Sequence, residues 1–226
     1  MFPKIYRSTL PSMTTSPGVV DLLGVLAYAE LSAYARMTDD AATLAPSLAD
    51  RAALSELAVT EYAHFRLLRD RLSELGADPD EAMAPFVAAL DAWHAQTRPS
   101  DWLQALIKTY VGDGIALDFY REAARHLDPS IARLVDEVLV DEGRSQFAVE
   151  RVRAAIEADP VESGRLALWA RRLVGEALSQ GQQVASARPE LASLLAESLQ
   201  DGATELSRLF AKLTEEHNKR MSAMGL

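Results

Sequence analysis

The chain has 226 residues, 49% of them hydrophobic and 25% charged, with a net charge of −10. It contains no cysteine, which excludes disulfides, thiolate zinc sites, iron–sulfur clusters and cysteine nucleophiles. The acidic balance repels a phosphate backbone over most of the surface, so broad non-specific nucleic-acid binding is disfavoured.

Any metal must therefore be held by oxygen and nitrogen ligands, which suits iron, manganese or zinc. The length allows one large domain with a substantial core. The first 15 residues show no helical periodicity and read as a loosely ordered arm preceding a single domain over 16–226. No continuous apolar core for a signal peptide is present. The most apolar stretch, residues 19–34, is interrupted by Asp21 and Glu30. A cytoplasmic protein off the membrane is the expectation.

Ser16-Pro17 supplies a cap and a proline at a first helical position. The first helix is predicted to run to about Met37, with the stripe Val19, Leu23, Leu26, Glu30, Ala33 and Met37. Glu30 thus sits in apolar company. A polar connector follows, and Ser47 with Asp50 three residues on resembles a capping box opening the second helix.

That helix is the informative one. Leu54, Leu57, Leu68, Leu72 and Leu75 mark one face, and the same face passes through Glu61 and His64. Burying a carboxylate costs several kcal/mol or more unless it is paired or metal-bound. A Glu-x-x-His pair on a bundle helix is half of the ligand pattern of carboxylate-bridged dimetal sites. A buried Glu–His ion pair is the plainer alternative.

Gly76 ends the second helix, and Asp78-Pro79 starts a crossover segment with the apolar edge Phe86, Leu90 and Trp93. His94 on it reads as a packing or surface residue. A fourth helix is expected from Asp101 to about Leu127, with the stripe Leu103, Leu106, Tyr110, Asp113, Leu117 and Tyr120. Gly112 and Gly114 flank Asp113, and glycine inside a helix costs ~1 kcal/mol relative to alanine, so close packing or a local bulge is expected there. Asp128-Pro129 opens a fifth helix with the stripe Ile131, Val135, Val138, Glu142, Ser145, Val149 and Val152. Asp141 is an adjacent alternative to Glu142. Asp159-Pro160 opens a sixth helix, and Pro189-Glu190 a seventh that runs almost to the end.

The acids fall into two halves. Glu30 is spaced from Glu61 much as Asp113 is from Glu142, and a long crossover with its own helix separates the halves. A short-looped antiparallel pair, a long crossover and a second pair is the ferritin-like bundle topology. The expectation is an all-α, ferritin-like four-helix bundle over 16–158, with additional C-terminal helices over 159–226. Its four acids would converge in one layer.

Thr60-Glu61-Tyr62-Ala63-His64-Phe65 and Asp141-Glu142-Gly143-Arg144-Ser145 resemble the two Glu-x-x-His-type segments of the ferritin-like tRNA hydroxylases, the MiaE-like proteins. The resemblance implies a non-haem di-iron centre that activates O2, an electron donor, and hydroxylation of 2-methylthio-N6-isopentenyladenosine in tRNA. Carried over, Glu61 and Glu142 bridge two irons, Glu30 and Asp113 are terminal ligands, and His64 binds one metal. Tyr34, Tyr62 and Tyr110 are candidate donors to the carboxylates. Asp113 stands where glutamate is usual, and Ser145 where the second histidine is usual. A hydroxyl is a poor iron ligand, so the alternative is a degenerate ferritin-like protein, with one metal or none, acting as a structural or interaction module. A ferritin-type iron store is a third reading. A tRNA would need a local basic patch, with Arg121, Arg125, Arg133, Arg151, Arg153, Arg171 and Arg172 as candidates. Homo-oligomerisation is expected through the sixth and seventh helices, at Val174, Leu178, Leu194, Leu195 and Leu209.

Overall fold

Pro17 takes the first turn of α1 (Pro17–Thr43), where a missing N–H costs nothing. Ser16 makes no side-chain capping bond, contrary to the expectation from sequence. The helix also runs past Met37 to Thr43, because Met37 and Ala41 are buried and the Thr38 hydroxyl donates to the Tyr34 carbonyl at 3.0 Å. Polar residues on the outer face of a helix do not end it.

The computed structural model describes residues 16–112, 114, 118, 120, 121, 124, 127–139, 144–198 and 203–226. Asp113, His126, Asp141 and Glu142 lie outside the described residues, as do the side chains of Arg144, Ser145, Leu195 and Leu209.

The second helix, α2 (Leu48–Glu74), opens on the expected cap: the Asp50 N–H donates to Ser47 Oγ at 3.0 Å. It ends at Gly76, whose φ of 79° is the left-handed conformation that glycine adopts without strain. α1 and α2 pair antiparallel over their length. The crossover follows as α3 (Pro79–Met83), a 3-10 turn (Ala84–Phe86) carrying Pro85, and α4 (Val87–Gln96). It lies close on α1: a β-carbon at Gly24 would sit 2.2 Å from the Ala82 carbonyl oxygen.

Asp101 caps α5 (Trp102–Ile107) through the Gln104 N–H at 2.9 Å. The chain then widens into a π-helical turn, Lys108–Gly112, so of the close packing or local bulge expected around Gly112 and Gly114 a bulge is present, ending at Gly112. Gly114, Asp118, Tyr120, Arg121 and Ala124 are helical beyond it. Asp128 caps α6 (Pro129–Val138), and α7 (Arg144–Ala158) follows. The C-terminal part holds α8 (Val161–Ala187), α9 (Pro189–Ser198) and α10 (Ala203–Met224). The single seventh helix read from sequence is thus described as two, on different parts of the bundle. α9 packs on α1 through Leu191 and Leu194, whereas Met221 and Met224 of α10 join the core of α5, α7 and α8.

Among the described residues all regular structure is helical. One core joins α1, α2, the crossover, α6 and α9 around Leu22, Leu68, Phe86 and Val135. A second joins α5, the π-turn, α7, α8 and α10 around Leu106, Val152, Leu166 and Leu173. A smaller one, Met37, Ala41, Leu54 and Ala58, closes the α1–α2 turn. Asp50, buried at the start of α2, accepts from Arg151 Nε of α7 at 2.8 Å, which docks α7 beside the first hairpin. α1 is long and apolar enough to cross a membrane by length and composition, but 56% of its apolar window is buried inside the bundle. Of the surface expected for oligomerisation, Val174 and Leu194 pack against the internal cores, and Leu178 is exposed.

Candidate metal centre

Antiparallel pairing brings the middle of α1 level with the middle of α2. Glu30, Glu61 and His64 meet there, with a ligand atom from each within 4.8 Å of the others. His64 Nδ1 lies 3.4 Å from Glu30 Oε2. All three are buried, Glu61 at 2% exposure and His64 at 6%. Leu54, Leu68 and Leu72, wholly buried, hold the α2 stripe inward, so the turn between them has no other direction to point.

Two carboxylates and an imidazole in a dry interior make a set of oxygen and nitrogen donors suited to a divalent ion of the first transition row. A cation bound among two carboxylates and an imidazole offsets the cost of burying them. The residues fit a metal on the first half of the predicted site. For the second half, Asp113 and Glu142 lie outside the described residues. Ser145 is helical at the start of α7, with its side chain outside them.

The other candidates separate clearly. Tyr34 and Tyr62 pack against each other with ring centroids 5.1 Å apart, and Tyr62 is 40% exposed, which turns it away from the layer. Tyr110 packs into the second core. Tyr120, on the predicted fourth-helix stripe but given no role there, packs against the first core and feels the charge of Glu30. Burial, and secondarily the charge of Glu30, raise its pKa, so it stays protonated at neutral pH. The available signal was its spacing of two helical turns from Asp113. His94 is buried and not in the metal-ligand group; Nε2 sits 3.2 Å from Ser32 Oγ. Burial and the cations Lys108 and Arg36 depress its pKa to about 3. His217 is likewise buried outside the group.

A family model described as a ferritin-like domain of actinomycetes matches residues 14–198. The chain belongs to this ferritin-like family. The match begins before α1 and reaches the end of α9, so it takes in the hairpin that carries the Glu30–Glu61–His64 group, the crossover, the second half and part of the C-terminal helices. No curated protein matches the sequence.

Proposed function

We propose that this ferritin-like protein is a metal-dependent oxidoreductase whose centre starts from Glu30, Glu61 and His64 and binds iron. The observation carrying the reading is the buried convergence of two carboxylates and one imidazole from two helices. Glu30 and Glu61 supply the anionic oxygens and His64 a neutral nitrogen, with Asp113 and Glu142 as the ligands of a second position. Iron bound there would supply O2-dependent redox chemistry. The chain's own share is to keep the ligands dry, to fix His64 against Glu30, and to keep Tyr120 protonated within the influence of Glu30. O2, an electron donor and a cytoplasmic location belong to the same proposal.

The test is metal analysis of protein expressed with iron, beside Glu61→Ala and His64→Ala. Bound iron in the parent and its loss in both variants supports the reading. An iron-free parent, or iron retained in Glu61→Ala, overturns it.

The substrate class to assay first is the one implied by the resemblance of Glu61-x-x-His64 and Asp141-Glu142 to the MiaE-like enzymes. With reductant and O2, tRNA bearing 2-methylthio-N6-isopentenyladenosine should gain one oxygen atom by mass spectrometry. An unmodified tRNA would direct the assay to smaller substrates, which the net charge of −10 favours.

A further inference from the structure

The outer face of α2 carries apolar side chains that the packing of the bundle does not use. Val59 is 65% exposed and Leu67 39%, on the side of the helix turned away from the buried Leu54, His64 and Leu68. Tyr62, between them, is 40% exposed, yet its ring is held in place. The Tyr34 ring lies 5.1 Å away and the Phe65 ring 5.6 Å, centroid to centroid. A fixed aromatic on an exposed helix face is the kind of anchor that protein interfaces favour.

The residues around it are patterned. Ala52, Glu56, Val59, Ala63, Arg66 and Asp70 are all exposed and follow one another at alternating steps of four and three. That is the spacing of a seam along which one helix faces another. Among the described residues neither Glu56 nor Arg66 has an ion-pair partner. They stand about 15 Å apart along the axis of the same helix, too far to pair with each other. Laid antiparallel against a second copy, with the two-fold axis level with Glu61, the seam matches itself. Glu56 of one copy then falls opposite Arg66 of the other, and Val59 opposite Ala63, each pairing occurring twice. An isologous interface demands this self-complementarity, whereas a face built for an unrelated partner does not.

We propose that the outer face of α2 is the interface of a homodimer, in which two copies pair antiparallel through Glu56–Arg66 ion pairs around Val59, Tyr62 and Ala63. This surface is separate from the C-terminal helices on which the sequence placed oligomerisation. It is the back of the helix whose inner face carries Glu61 and His64.

Sedimentation velocity of the full chain, without added metal and over roughly 1–100 µM, tests the pairing. The parent should be a dimer. Glu56→Arg and Arg66→Glu should each raise the dimer dissociation constant at least about tenfold, because each sets two like-charged pairs across the axis. Both positions are exposed, and circular dichroism should show unchanged helix content. Mixed in equal amounts, the two variants should recover a dimer containing one copy of each, since every reversed charge then meets its opposite. Leu168→Glu, on the exposed face of α8, should leave the parent dimer intact. A parent that stays monomeric overturns the inference and leaves the face to a different partner. A dimer that neither α2 variant weakens, a mixture that stays monomeric, or a dimer lost on Leu168→Glu also overturns it. None of these readouts depends on iron, so an iron-free parent sinks the metal reading and leaves this test standing.

Discussion

His64 Nδ1 on α2 faces Glu30 Oε2 on α1 across 3.4 Å, with Glu61 completing the group one turn before the histidine. Anything that binds this group in the folded chain stabilises the fold by mass action. At a metal concentration a hundredfold above Kd the gain is about 2.7 kcal/mol. For a chain of this size that raises Tm by roughly 5–11 °C. Differential scanning with ferrous iron under anaerobic conditions should show the rise in the parent and none in Glu61→Gln. An equal rise in both would place the binding elsewhere.

Close approach of α1 to the crossover gives the second prediction. Gly24 faces the backbone of Ala82, which does not yield as a flexible side chain would. Gly24→Ala should cost at least about 2 kcal/mol through overpacking. Gly175, inside α8, has nothing within 4 Å of where a β-carbon would lie. Gly175→Ala should therefore stabilise by about 1 kcal/mol from helix propensity alone. Urea unfolding of the two variants checks both signs.

Periodicity made the first hairpin legible. Glu30, Glu61 and His64 were visible as polar residues on apolar stripes, and burial of those stripes follows from the leucines around them. The Ser47 cap, the Gly76 stop and the crossover were equally local signals. What the sequence did not show depends on tertiary company. His94 is buried, with Ser32 reaching it from α1 and the charge of Lys108 acting on it from the π-turn. Gly112 and Gly114 announced close packing or a bulge but not that Trp93 and Arg220 are the groups packed against them. α1 passes its predicted end because burial of Met37 and Ala41 outweighs the polar residues between them. α9 and α10 share one continuous helical pattern in sequence, yet they dock on separate cores.

His94 also predicts a pH dependence. Its folded-state pKa of about 3 lies below the ordinary histidine value, because burial and the nearby Lys108 and Arg36 disfavour the imidazolium. Below the ordinary value the unfolded chain takes up a proton that the folded chain refuses. Stability is therefore full above about pH 6.5 and falls as the pH drops towards 3, by about 3 kcal/mol at pH 4. Denaturant midpoints for the parent and His94→Gln should converge as the pH is lowered, with the variant the less acid-sensitive. Parallel curves would mean that another group governs the acid limb.

Ser145 separates an enzyme from a relic. With serine at that position the second half of the site has carboxylates but lacks the imidazole that holds divalent iron against water. The Glu30–Glu61–His64 side should therefore fill first, and iron content in the parent should be nearer one than two per chain. In a weakened oxygenase, Ser145→His restores the missing donor. Iron stoichiometry should then rise towards two, and O2 consumption with a reductant should increase. In a bundle whose second half has closed by packing, the larger ring has no place. The substitution would then lower stability by ~1–3 kcal/mol without a gain in iron. Unchanged iron together with a lowered Tm would sink the oxygenase, and the surviving reading would be a ferritin-like interaction module.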